Sequence, residues 1–147
     1  MTKYNISINE DKDAAYRSLV SRKKVKELKE RIYDIICKQK KYKDRDYSAR
    51  QLAIDLETNT RYISAVVSVC FGMNYTSFVN SYRIKYAKTL LTNKRFEKLR
   101  MDEVSTMAGF SNRQSFYASF YKFTGITPRQ YKLEGESAVK NITEKSN

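Results

Sequence analysis

Residues 101–132 read Met-Asp-Glu-Val-Ser-Thr-Met-Ala-Gly-Phe-Ser-Asn-Arg-Gln-Ser-Phe-Tyr-Ala-Ser-Phe-Tyr-Lys-Phe-Thr-Gly-Ile-Thr-Pro-Arg-Gln-Tyr-Lys. Val104, Met107 and Ala108 fall three and four apart, which predicts the inward face of a short helix. Gly109 follows, the residue that accepts the positive φ of a sharp helix stop. Ser111 or Asn112 can cap the next helix by accepting from its unpaired amides. In that second helix Phe116, Phe120 and Phe123 share one stripe, so Arg113, Gln114 and Tyr117 face the other way. Gly125 ends it, Thr127 caps a third helix, and Pro128 takes the first position, where a missing N–H does no harm. Two short helices around a tight turn make a helix-turn-helix. An aromatic inner face with Arg and Gln outside suits a DNA major groove.

Whole-chain properties fit that reading. The 147 residues are enough for one domain with a modest core and flexible ends. Lys and Arg number 29 against 16 Asp and Glu, a net charge of +13 that points to a polyanionic partner. Nucleic acid is a commoner partner of that kind than an anionic membrane. No apolar run approaches the ~18 residues of a spanning helix, and no secretory signal opens the chain. A cytoplasmic, membrane-free protein is therefore expected. Histidine is absent, and the two cysteines, Cys37 and Cys70, lie far apart without CxxC spacing. No metal site, disulfide framework or cofactor is expected. Only four glycines occur, in no phosphate-cradling pattern. No Ser, Asp or Lys constellation has catalytic spacing, so no enzyme activity and no small-molecule site are expected. With one proline and little strand-like alternation, the chain reads as all-α.

Upstream, Val25, Leu28, Ile32, Ile35 and Ile36 predict an amphipathic helix from Arg22 to about Gln39. A basic loop, residues 40–46, follows. Residues 47–72 then repeat the opening motif. Ser48 caps a short helix carrying Leu52, Ala53 and Leu56, and Asn59 caps a second with Ile63, Val66 and Val67 inside. Leu52, Ile63 and Val67 correspond to Val104, Phe116 and Phe120 if the later copy has one extra turn residue. Between the copies, Phe78, Val79, Tyr82, Ala87, Leu90 and Leu91 predict a helix over about 75–92, roughly 25 Å long at 1.5 Å per residue.

The run Gly109-Phe110-Ser111-Asn112, then Phe116, Phe120, Lys122, Gly125-Ile126-Thr127-Pro128 and Tyr131-Lys132 resembles the AraC/XylS family of bacterial transcription regulators. Tyr82-Arg83-Ile84, Ala87 and Leu90-Leu91 continue the resemblance upstream, as do the two motifs with unequal turns. Two positions depart from it: Glu57 stands where the family usually has Gly, and Ser105 where it usually has Ala. A positive φ at Glu57 would strain the first turn.

The resemblance implies two helix-turn-helix subdomains joined by a long linker helix that fixes them relative to each other. The motifs span about 48–70 and 101–124 within a DNA-binding domain over 22–133, with a mobile arm or linker over 1–21 and a disordered tail over 134–147. It also implies a sequence-specific transcription regulator bound to double-stranded DNA. Matching the family's base-contacting positions gives Arg61, Ser64 and Ala65 in the first motif, and Arg113, Gln114, Tyr117 and Ala118 in the second. Ala65 and Ala118 stand where many relatives carry Arg. Helix N-termini and basic flanks nominate Ser48, Thr60, Ser111, Asn112, Lys122, Arg129 and Lys132 for phosphate, the first and the Ser111–Asn112 pair serving equally as caps. Arg83 is expected to be structural. Two alternatives stand beside this reading: an architectural DNA-binding factor of low specificity, and an interaction module that contacts RNA polymerase or another regulator.

Overall fold

The computed structural model describes residues 22–146, and among them it has seven α-helices and no strand. These are α1 (Arg22–Tyr33), α2 (Ala49–Asp55), α3 (Thr60–Phe71), α4 (Tyr75–Thr92), α5 (Met101–Ala108), α6 (Arg113–Thr124) and α7 (Pro128–Ser146). The all-α expectation holds. The arm expected over 1–21 lies outside the described residues. The chain divides into two compact units. Unit 1 takes residues up to Gln39 together with Ser48–Tyr75, and unit 2 takes Lys40–Tyr47 together with everything from Thr76.

In unit 1, α1 and α2 both pack on α3. Ile32 and Ile36, Leu52, Ala53 and Leu56, and Ile63, Val66 and Val67 are buried. Val25, Leu28 and Ile35 are only half-buried, so the buried stripe is narrower than the apolar run in the sequence. A π turn over Asp34–Lys38 finishes the first helix, closed by the Gln39 N–H donating to the Asp34 carbonyl at 2.8 Å.

The first motif turns at Glu57, whose φ is 54. A non-glycine residue held there costs about 1–2 kcal/mol. The turn keeps it because its N–H donates to Ile54 and that of Thr58 to Ala53, at 3.1 and 2.9 Å. Such paired bonds satisfy carbonyls at a helix end.

Unit 2 is built on Ile84, Ala87, Leu90, Leu91, Val104, Ala108, Phe110, Phe116 and Phe120, with Tyr117, Ile126 and Tyr131 packed around them. The bounds of α4 agree with the expected helix, but Ile84 is buried while Tyr82 is only half-buried. From Thr76 on, α4 belongs to the second unit.

Two inward assignments need correction. Met107 is exposed, and Ser105 is buried in its stead. At about 100° per residue, Ser105 and Met107 lie equally far, about 80°, to either side of the Val104–Ala108 midline, so spacing alone does not choose between them. The Ser105 hydroxyl donates to the Asn112 carbonyl at 3.2 Å, so the departure from Ala bridges the turn. Phe123 is also exposed. It lies on the right stripe but past the end of the core, which stops where Tyr131 meets Phe120 edge-on at 5.4 Å. The end of the chain differs as well: α7 continues to Ser146, through the stretch expected to be a disordered tail. That stretch carries good helix formers such as Glu134, Glu136, Ala138 and Lys140.

The basic segment Lys40–Tyr47 is a working part of unit 2. Tyr42 is buried, and its carbonyl accepts from Arg83 Nε at 2.7 Å. Arg83 Nη1 also donates to Asn80 Oδ1 at 3.1 Å, the structural role expected of it. Gly109, with φ 100, presses its backbone against this segment so closely that a Cβ there would overlap the Tyr42 carbonyl oxygen. Gly125 also has a positive φ, 77, but open space where a Cβ would go. Gly125→Ala should therefore cost about 1–2 kcal/mol, the backbone penalty alone. Gly109→Ala should cost clearly more in urea unfolding, because backbone must move as well. Equal losses would mean that Lys40–Tyr47 is not seated on the turn.

Candidate nucleic-acid interface

Helices α3 and α6 each follow a tight turn, and each is capped by an asparagine. Asn59 Oδ1 accepts from the Tyr62 N–H at 3.0 Å, and Asn112 Oδ1 from the Ser115 N–H at 2.7 Å. Asn112, rather than Ser111, is thus the cap of α6. The cap satisfies the third amide, so those of Arg113 and Gln114 stay available to an anion at the helix N-terminus. Ser48 Oγ caps α2 by accepting from the Gln51 N–H at 3.1 Å. Thr127 and Gln130 close a reciprocal box at the start of α7, with side chain-to-amide distances of 3.1 and 2.9 Å.

The turns differ in the way the sequence repeat requires. Glu57 precedes its cap Asn59 by two residues, while Gly109 precedes Asn112 by three. The extra residue is accommodated by burying Phe110, whose ring meets that of Phe116 at a 48° tilt with centroids 5.4 Å apart.

Burial fixes the rotation of both helices. In α3, Ile63, Val66 and Val67 are inside, leaving Arg61 and Ser64 exposed and Ala65 half-buried. In α6, Phe116 and Phe120 are wholly buried, Gln114 and Ala118 on the opposite side are exposed, and Tyr117 on the flank is half-buried; Arg113 falls within about 20° of Phe120 around the helix and is exposed as its first residue. Arg113 Nη2 donates to Tyr117 Oη at 3.2 Å, and its Cζ lies 5.1 Å from the ring centroid. The Tyr117 hydroxyl raises the Arg113 pKa above its ordinary value, with a smaller contribution from Asp102. Asp102 Oδ1 is 3.8 Å from Arg113 Nη1, but both side chains are more than half exposed, so the pair is weak.

The phosphate candidates divide. Thr60, Ser111 and Arg129 are exposed, as are the caps Ser48 and Asn112. Lys132 is half-buried, and its Nζ donates to the Glu97 carbonyl at 2.6 Å. Lys122 Nζ lies 3.2 Å from Ser77 Oγ, half a turn around α6 from Arg113. Arg113, Arg129 and Lys132 line one groove of about 440 Å³ together with Arg100 and Asp102. Arg100 was not among the sequence candidates. It occupies the N-cap position of α5, where a short polar residue is usual, and holds Glu103 at 2.9 Å. Nothing in its sequence position separates it from the many other surface bases.

The family model for a helix-turn-helix domain matches residues 52–134. The HTH-type transcriptional regulator YtdP of Bacillus subtilis is 29% identical over 87 residues, covering 59% of this chain and 11% of that protein. The melibiose operon regulatory protein of Escherichia coli K12 is 24% identical over 89 residues, 60% of this chain and 28% of that protein. The chain thus spans about a tenth of the first relative and just over a quarter of the second. Among solved structures, the C-terminal domain of the two-component response regulator yesN from Fusobacterium nucleatum superposes with a TM-score of 0.60 at 27% identity, over 73% of this chain and 96% of that one. The C-terminal domain of AraT, a response regulator from Geobacillus stearothermophilus, has the same fold, with a TM-score of 0.62 at 22% identity over 75% and 84% of the two chains.

If Asn112 is the cap, Asn112→Ala should lower stability by about 1 kcal/mol. Ser111→Ala should stay within about 0.5 kcal/mol, as surface changes do. Urea unfolding of the two variants checks the assignment, and the reverse ranking contradicts it.

Proposed function

The chain belongs to the AraC-type helix-turn-helix family, and we propose on that premise that it is the DNA-binding part of a sequence-specific transcription regulator. Helices α3 and α6 would each enter a major groove. Two such helices in one chain can serve successive groove openings ~34 Å apart, the problem that dimeric regulators solve by symmetry. The observation that carries this reading is the exposed first turn of α6. Phe116 and Phe120 are buried, and Arg113 and Gln114 are left exposed in its first turn. Arg can pair with guanine O6 and N7, and Gln with adenine N6 and N7. The net charge of +13 supports contact with phosphates.

Base reading would fall to Arg61, Ser64 and Ala65 in α3 and to Arg113, Gln114 and Ala118 in α6, with Tyr117 beside them. Ala65 and Ala118 can touch a thymine methyl but cannot read a purine. Phosphates would be met by the amides opening α3 and α6, by Thr60 and Ser111, and by Arg129. Lys122 and Lys132 would have to release their present partners to join them. Acting on chromosomal DNA would place the protein in the cytoplasm.

Selection from random duplexes should recover a defined site. On that site the log–log salt slope should be steeper than about −3, given roughly four to eight phosphate contacts at ~0.9 per phosphate. A nearly flat slope would leave the basic surface merely solvated and favour a module that contacts RNA polymerase or another regulator. Arg113→Ala should weaken the selected site by ~1–3 kcal/mol and relax one or two base pairs, with little effect on random duplex. Arg129→Ala should weaken both duplexes alike and lower the salt slope by about one unit. An Arg113→Ala loss that is equal on both would make Arg113 a phosphate clamp.

A further inference from the structure

Tyr117 was placed among the base-reading residues by position, yet its surroundings differ from those of its neighbours on α6. Arg113, Gln114 and Ala118 are exposed, whereas Tyr117 is half-buried and packs against the core of unit 2. Its ring meets Phe116 edge-on, with centroids 5.7 Å apart and planes at 74°. Phe116 is itself wholly buried, so the tyrosine ring stands on a fixed support. From there its hydroxyl accepts from Arg113 Nη2 at 3.2 Å, one turn back along the same helix. The guanidinium also lies near the ring, its Cζ 5.1 Å from the centroid.

We propose that Tyr117 is a positioning residue for base reading: its anchored hydroxyl holds the Arg113 guanidinium in the pose that meets a base edge. This rests on the reading of α6 as a base-reading helix. An exposed arginine samples many rotamers, and ordering it on DNA weakens binding; a partner that orders it beforehand removes part of that cost. One guanidinium N–H is used by Tyr117, and the others remain for a base. Asp102, the other neighbour of this guanidinium, is 3.8 Å away, beyond hydrogen-bond distance, so it cannot fix the group's orientation as the Tyr117 hydroxyl does. Tyr117 thus contributes to specificity through Arg113 and not through a base contact of its own.

The test uses the full chain, the duplex recovered by selection, its single-base variants at the pair that Arg113 specifies, and a random duplex. Tyr117→Phe keeps the ring and removes only the hydroxyl, so its unfolding midpoint should match that of the parent. Preference at the specified pair should fall roughly 3- to 10-fold, the scale of one modest hydrogen bond, while affinity for random duplex stays within about twofold. Arg113→Ala should erase the preference, and adding Tyr117→Phe to it should change nothing further, the mark of one residue acting through another. If Arg113→Ala erases the preference and Tyr117→Phe leaves it intact, the positioning role is overturned while α6 still reads bases. If Tyr117→Phe weakens every duplex equally, Tyr117 touches phosphate and the role is likewise overturned. If Arg113→Ala leaves the preference intact, the base-reading assignment of Arg113 falls, and the positioning role with it.

Discussion

The second motif depends on the close approach of Gly109 to the backbone of Tyr42 and Lys43. At φ 100, and with no room for a Cβ, this position admits only glycine without rearrangement. The approach allows Arg83 to reach the Tyr42 carbonyl, and it lets Phe110 bury itself under Phe116. Once Phe110, Phe116 and Phe120 are seated, the rotation of α6 about its axis is set. Which side chains face outward then follows, and with them the chemistry that the helix can offer. A contact between a turn and a distant loop thereby decides which residues are available to a groove.

The first motif does the same work with less. Its turn passes through Glu57 instead of glycine and is one residue shorter between the left-handed position and the cap. Aliphatic residues replace the aromatic stripe, so α3 is oriented by Ile63, Val66 and Val67. Strain at Glu57 is local and mild, and two turn hydrogen bonds hold it. The motifs are therefore two solutions to one geometric requirement, differing in how the turn is closed.

Periodicity and capping chemistry made the element order legible, because helix stops at Gly109 and Gly125 and caps at Asn59, Asn112 and Thr127 are local decisions. The buried stripe of α6 was legible for Phe116 and Phe120. It failed at Phe123, since a sequence period does not say where a core ends. Met107 and Ser105 were exchanged for a related reason: hydrophobicity favoured methionine, while the carbonyl of Asn112 gave the serine hydroxyl a partner inside. The tyrosine at 117 looked outward by spacing alone, and only its packing on Phe116 distinguishes it from Gln114. The segment Lys40–Tyr47 read as a basic loop because its role lies in contacts some forty to seventy residues away in sequence. Arg100 could not be told apart from other surface bases before a groove gathered it, and the engagement of Lys132, a phosphate candidate, by the Glu97 carbonyl depends on a contact 35 residues away in sequence.

Helices α3 and α6 are proposed to read two stretches of one DNA duplex through its major groove. Methylation of guanine N7 blocks the major-groove edge that arginine would contact, so methylation interference on the selected duplex probes both helices at once. Two clusters of interference are expected, centred about one helical turn, ~10.5 base pairs, apart. Interference confined to one cluster, or none at any guanine of the selected site, would contradict reading by both helices.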